Sequence, residues 1–211
     1  MSDGQEGAAR PLRVAHASDL HGDLDPLSEV FWPVDLWVLT GDIFPDAPFG
    51  DLDGRDRHAR AWFRRNENAL RARFGRTPVL AVDGNHDFAS LAALLRAAGV
   101  DAHAVTPEGV TLLGHRFAGF PNIPRMRGHW AHESTPEELA RLVRRTFDAE
   151  ADVLVTHCPP RGVLDHDEGH LGNGPLADAL ARGGHGVGHH LFGHVHATAG
   201  QRAEARGVRF Y

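Results

Sequence analysis

Residues 34–42 read VDLWVLTGD. From Val34 to Thr40 the stretch is short, continuous and apolar except for Asp35. That is the pattern of a strand covered on both faces, not of a half-buried strand with alternating character. The strand runs directly into Gly41-Asp42 and the turn IFPDAP. The same arrangement recurs along the chain: Leu12–Ala17 runs into SDLHGD, Pro78–Val82 into DGNHD, Asp152–Thr156 into HCPPRG, and His190–Phe192 into GHVH. Each apolar run ends in a turn rich in Asp, Asn or His.

Helical segments lie between these strands. Asp56–Phe74 carries Phe63, Leu70 and Phe74 at helical spacing, with Gly75 as a stop and Pro78 preventing continuation. Phe88–Ala98 ends at Gly99. Thr135–Ala149 opens with Thr135, Pro136 and Glu138, a cap, a proline at the first helical position and a capping-box Glu. Pro175–Arg182 is a shorter helix, and Val110–Phe120 reads as a hairpin about Gly114. Strands alternating with helices indicate an α/β sheet, in which ligands gather at the C-terminal ends of strands. No internal repeat or low-complexity linker divides the chain. One domain over residues 12–211 is therefore expected, preceded by a flexible N-terminus at 1–11.

Composition narrows the chemistry. The chain has 211 residues, a formal net charge of −6, and 22 basic residues, all of them Arg. The absence of Lys excludes Schiff-base catalysis and a Walker-type phosphate lysine. The acidic balance disfavours nucleic acid as a partner, because affinity for a polyanion comes mainly from phosphate neutralisation. A single cysteine, Cys158, excludes an internal disulfide. No apolar run approaches the ~18 residues of a membrane helix. The first residues contain no apolar leader segment, so a cytoplasmic protein with no membrane partner is expected. Histidine is the outlier, at 16 residues.

Seven polar residues at the strand ends form a ligand set. Asp19 and His21 are two apart in an extended turn. Asp42 and Asn85 each follow a glycine, His157 closes the fourth strand, and His194 and His196 flank Val195 on one side of an extended segment. Oxygen ligands mixed with imidazoles suit manganese, iron or zinc better than calcium or copper. Seven ligands are too many for one tetrahedral ion and fit two ions sharing a carboxylate. Read singly, Asp23, Asp25 and Asp46 are caps or turn residues. His16, His58, His103, His115, His129 and His132 read as solvated or core-satisfied, and His185, His189 and His190 as loop residues.

The strings DLH (19–21), GD (41–42), GNHD (84–87), TH (156–157) and GHVH (193–196), in that order, resemble the signature of the calcineurin-like metallophosphoesterases. The resemblance implies a β-sandwich of two mixed sheets flanked by α-helices. It implies two divalent metal ions, with manganese first and iron or zinc as alternatives. One would be held by Asp19, His21 and His196, the other by Asn85, His157 and His194, with Asp42 bridging. His86 would protonate the leaving oxygen or steady the phosphate, and Asp87 would fix a neighbouring histidine's tautomer. A hydroxide bridging the metals would attack phosphorus in line.

Residues 156–176, THCPPRGVLDHDEGHLGNGPL, resemble the corresponding stretch of the small MPPED-type phosphodiesterases. A small phosphodiester or nucleotide substrate, including cyclic nucleotides, is thereby implied. Phosphomonoesterase, nucleotide pyrophosphatase and nuclease are the enzymatic alternatives, and a non-catalytic scaffold is the alternative from another class. PNIPRMRGHW (121–130) reads either as a substrate lip, with Arg125 and Arg127 meeting phosphate and Trp130 stacking on a base, or as a proline-braced loop whose Trp plugs the core. The Arg-rich helix 56–76 reads as a solvated face. GVRFY (207–211) can supply one closing strand. The alternatives are a truncated chain or a sheet edge completed by a partner copy, as in a homodimer.

Overall fold

A computed structural model describes residues 11–48, 51–127 and 129–211. The expectation for residues 1–11 falls almost wholly outside them. The first sheet is built from β1 (Val14–Ala17), β2 (Leu36–Leu39), β3 (Val79–Ala81) and β4 (Ala102–Ala104), in that order and parallel throughout. Its crossovers carry α1 (Asp25–Ser28), α2 (Arg55–Phe74) and α3 (Leu91–Ala97). The second sheet is mixed. It comprises the hairpin β5 (Val110–Leu112) and β6 (His115–Ala118), then β9 (Val153–Val155), β10 (His189–Leu191), β12 (Val208–Phe210) and the edge strand β11 (Ala203–Ala205). Helices α4 (Pro136–Asp148) and α5 (Gly174–Arg182) cover it. The short pair β7 (Ile123–Pro124) and β8 (Glu133–Ser134) stands apart. The expected two-sheet α/β sandwich is thus present, with one sheet parallel where both were expected to be mixed.

Strand periodicity sorts the core into layers. In β2, Leu36 and Val38 face the second sheet and, with Leu80 of β3, pack with Phe117, Val153 and Val155. Trp37 and Leu39 face the other way and pack with Trp62, Phe63 and Phe74 of α2 and Leu91 and Leu95 of α3. On the far side Leu154, Phe192 and Phe210 pack under Leu139 and Val143 of α4 and Leu176 and Leu180 of α5. The order is helix, sheet, sheet, helix. Strands buried on both faces need no polar alternation, which is why their sequences read as unbroken apolar runs.

Local signals account for most boundaries. Helix α2 stops at Gly75, whose φ of 55° lies in the left-handed region. Helix α4 has its full capping box: Glu138 N–H donates to Thr135 Oγ1 at 3.3 Å, and Thr135 N–H donates to Glu138 Oε2 at 2.8 Å. The hairpin turns on Leu113-Gly114, both with positive φ, as a two-residue turn between right-twisted strands requires. Helix α3 starts three residues later than expected, at the Ser90 cap, because residues 84–87 are wound around the Asp87 carboxylate. Strand β12 is the one GVRFY was expected to supply, and β11 pairs with it antiparallel.

Candidate metal centre

The C-terminal ends of β1, β2, β3, β9 and β10 meet at one rim of the sandwich. The turns after β1 and β2 are zipped together: Asp19 N–H donates to Gly41 O, His21 N–H to Asp42 O and Gly22 N–H to Ile43 O, each at 2.9 Å. The backbone is strained here. Asp19, His21, Asp42 and His194 have φ of 54°, 45°, 54° and 73°, a region costly for residues with a Cβ and characteristic of functional sites. Glycine permits the close approach. A Cβ on Gly84 would lie 2.1 Å from Asp42 Oδ1, and one on Gly193 would lie 2.2 Å from Asp19 Oδ2.

Two trios of ligand atoms result. In Asp19, His21 and His196, and again in Asp42, His157 and His194, one ligand atom from each residue lies within 4.8 Å of the others. In the first trio, His196 Nε2 lies 3.3 Å from Asp19 Oδ1 and 3.3 Å from His21 Nε2. The Asp19 carboxylate also accepts the His194 N–H, at 2.9 Å to Oδ2, which joins the two trios. In the second, His157 Nε2 lies 3.3 Å from Asp42 Oδ2 and 3.0 Å from Asn85 Oδ1. His157 Nδ1 donates to Thr40 O at 2.7 Å. That bond directs Nε2 at the carboxylate and the amide.

The electrostatics suit a cation. Burial alone would raise the Asp42 carboxyl, but the His157 and His86 imidazoles hold it well below the usual carboxylate range. Burial lowers the His157 ring, and the Asp42 carboxylate more than reverses this, raising it to about 9. Each partner holds the other charged, and a cation at His157 Nε2 would take the place of that ring's proton. His194 is pushed down to about 3, by burial and then by His157, so its ring is neutral as a ligand must be. The donor set, two trios each of one carboxylate and two imidazoles with an amide oxygen beside the second, fits two ions of the manganese, iron or zinc class.

His86 stands beside both trios. Its N–H donates to Asp42 Oδ1 at 2.8 Å, and its Nε2 is 3.9 Å from Asp42 Oδ2. Its Nδ1 is in short contact with the Asp46 carboxylate. Asp46, expected to be a mere turn residue, is therefore the group that orients this ring. A third trio, His21, Asp46 and His86, also lies within 4.8 Å. Asp87 takes a different place from the one expected. It meets no histidine ring; its buried carboxylate accepts N–H groups from Asp42, Ile43, Phe44 and Gly84 at 2.7–3.2 Å. It builds the turn that presents Asp42.

The strap between β7 and β8 crosses the same rim. Trp130 neither plugs a core nor stands free. Its ring lies against His86, with centroids 4.2 Å apart and planes at 34°. Ala131 N–H donates to Asn85 O at 2.9 Å. Arg125 and Arg127 are exposed, and their backbone N–H groups bond Ser134 O and Glu133 Oε1. His132, read from sequence as solvated or core-satisfied, is half-buried, and burial, then the charge of His157, lowers its ring below the usual imidazole range. Its position came from the strap's path, for which the sequence carried no periodic signal. His16 is half-buried with its ring paired to the Thr40 hydroxyl at 2.8 Å, whereas His189 and His190, read from sequence as loop residues, lie in strand β10, where His190 is fully buried and paired to the Thr156 hydroxyl at 2.8 Å. A cleft of about 560 Å³ near the C-terminal ends of α4 and α5 contains none of the site residues.

No helix among the described residues is long and apolar enough to cross a membrane. No curated protein matches the chain significantly. Residues 12–198, which span every strand end of the rim, match the model of the calcineurin-like phosphoesterases. The chain belongs to this family of metal-dependent hydrolases of phosphate esters.

Proposed function

We propose that the chain hydrolyses small phosphodiesters, cyclic nucleotides among them, at a centre of two divalent ions, and that residues 12–211 act as one catalytic domain. Asp19, His21 and His196 would hold one ion, and Asn85, His157 and His194 the other, with Asp42 between them. When bound, the ions lower the pKa of a water and neutralise charge on the phosphoryl group. The observation that carries the reading is the convergence of the two trios at one rim with the His86 Nε2 face turned toward them.

The chain's own residues supply the rest. Asp42, buried and held by the Asp87-braced turn, is the rigid carboxylate that would serve both ions. His86, its Nδ1 tied to Asp46, presents Nε2 where a leaving oxygen can take a proton. Such a transfer contributes ~10²–10⁴ in rate for an alkoxide. Arg125 and Arg127, exposed on the strap, are available to the distal part of the substrate.

Diester preference is supported by two features. The stretch 156–176, which carries the resemblance to the phosphodiesterases, is fastened beside His196 by Thr198 Oγ1 donating to Leu164 O at 2.9 Å. Among the described residues no guanidinium hydrogen-bonds a residue of either trio, and a diester monoanion needs less positive charge than a monoester dianion. A panel of bis-p-nitrophenyl phosphate, p-nitrophenyl phosphate, and 2′,3′- and 3′,5′-cyclic nucleotides tests this on metal-stripped protein reloaded with Mn²⁺. The diester is expected to be the better substrate. A monoesterase rate about tenfold above the diesterase rate, a 1.4 kcal/mol preference, would reassign the chain to phosphomonoesters.

A further inference from the structure

Arg55, the first residue of α2, lies outside both trios and touches no residue of either. Its guanidinium nevertheless joins three segments. Nε donates to Leu52 O at 3.0 Å. Nη1 donates to the carbonyl of His129 on the strap, in a short contact. The planar group lies over the ring of Phe88, with Cζ 4.0 Å from the centroid. Phe88 directly follows Asp87, so the same guanidinium reaches both the strap and the turn that bears Asn85, His86 and Asp87. A carbonyl bond combined with a cation–π contact is a joint that few side chains other than Arg can make.

The strap is fixed on either side of Trp130. His129 is held by Arg55, and Ala131 N–H is held by Asn85 O. His132 O in turn accepts the Ile123 N–H at 3.1 Å. Trp130 is thus presented to His86 from a clamped backbone. The His86 ring then has Asp46 at Nδ1, the edge of His21 at 4.8 Å, and the Trp130 indole at 4.2 Å. One face of the indole is occupied by this contact, so its use is to confine the imidazole and not to stack on a base with that face.

We propose that Arg55 is a positioning residue, a latch that fastens the 129–132 strap so that Trp130 holds the His86 ring in its proton-delivering orientation. The proposal rests on the phosphodiesterase reading for its rate effects and on geometry alone for the latch. Loss of the latch leaves metal binding intact, because Arg55 hydrogen-bonds no ligand and the strap meets Asn85 only at its backbone carbonyl, and lets His86 tilt. A displacement of about an ångström at a catalytic group, caused from a distance, costs up to ~10²-fold. The loss should fall on substrates whose leaving group needs a proton.

The test compares full-length wild type, Arg55→Ala, Arg55→Lys and Trp130→Phe, all loaded with Mn²⁺. Expected for Arg55→Ala are unchanged metal content, a kcat on a phenyl or alkyl diester lowered ~10–100-fold, and a smaller loss on the p-nitrophenyl diester, whose leaving group departs without a proton. Arg55→Lys, which keeps a cation and a donor, and Trp130→Phe, which keeps a ring against His86, should each lose less on the poor leaving group than Arg55→Ala does, with the same dependence on leaving group. Equal losses on both esters, or no loss, would overturn the latch. Trypsin supplies a readout independent of activity: cleavage after Arg125 and Arg127, mapped by mass, should accelerate in Arg55→Ala at an unchanged unfolding midpoint. Unchanged cleavage would also overturn the latch. If wild type hydrolyses no phosphate ester, the phosphodiesterase reading fails, and the cleavage rates still decide whether Arg55 fastens the strap.

Discussion

The ring of His86 is tied at one end: Nδ1 meets the Asp46 carboxylate, which leaves Nε2 turned toward Asp42, 3.9 Å from Oδ2. An imidazole tied at one nitrogen has its other nitrogen defined in direction and tautomer. This arrangement suits His86, next to a proposed metal ligand in sequence, to the separate use proposed for it, proton delivery to a leaving oxygen. It also accounts for an Asp four residues beyond Asp42 with an exposed side chain.

Replacing His86 by Ala should leave both metals bound and lower the rate by ~10²–10⁴ for a poor alkoxide leaving group. With p-nitrophenolate the loss should be smaller if proton transfer is the main role, and equal if the ring mainly steadies phosphoryl charge. Steady-state rates on the two esters decide between them. Unchanged rates on both, with metals retained, would remove His86 from the catalytic set.

Asp46→Asn should reproduce part of that loss and add nothing to it. If Asp46 acts only through His86, the double variant His86→Ala/Asp46→Asn should match His86→Ala, since residues acting as a unit are non-additive. Additive losses in kcat would mean that Asp46 contacts the reaction by another route, such as the third trio with His21.

Asp87→Asn addresses stability. The carboxylate accepts four backbone N–H groups in a buried turn. The amide replaces one acceptor oxygen by an NH₂ facing two of them. Buried donors left unsatisfied cost ~1–3 kcal/mol each, so urea unfolding should register a loss of about 2–4 kcal/mol. A stability equal to that of wild type would contradict this role for the turn.

These turns explain what could be read in the sequence. The order of strands and the seven polar residues at their ends were legible because a buried parallel strand must be continuously apolar and must stop where the chain turns polar. The capping box at Thr135 and the Leu113-Gly114 turn carry their geometry in a few adjacent residues. Asp46, His132 and Arg55 were not legible. The partners of Asp46 and Arg55, His86 and the His129 carbonyl, lie 40 and 74 residues away, and burial of His132 follows from the path of the strap; no local pattern encodes a meeting at that range. Strand β4 is Ala-His-Ala, with no β-branched residue to announce it. Helix α1 spans four residues, too short for a helical period to show.

Acid stability should depend on His190. This ring is buried under α5, donates to Thr156 Oγ1, and is pushed by burial, then by His16, down to about 3. Its folded pKa lies below the unfolded value of 6.5, so its neutral form is fully accommodated above that value. As pH falls below it, the unfolded chain takes up a proton that the native state refuses. Stability should drop by up to about 1.4 kcal/mol per pH unit from this ring until the folded pKa is reached. His190→Gln keeps a donor for Thr156 and should flatten the fall between pH 6.5 and 5 in urea titrations. Parallel pH profiles for wild type and variant would show that the ring is already charged in the native state.

The metal-to-protein ratio, measured by elemental analysis after stripping and reloading with Mn²⁺, bears most directly on the two-ion centre. Wild type should bind two ions per chain. Asp42→Asn, which removes the carboxylate proposed to bridge the two ions, should bind fewer than one and lose almost all of the proposed phosphodiesterase activity. A ratio of two retained in Asp42→Asn would contradict a centre built around that carboxylate.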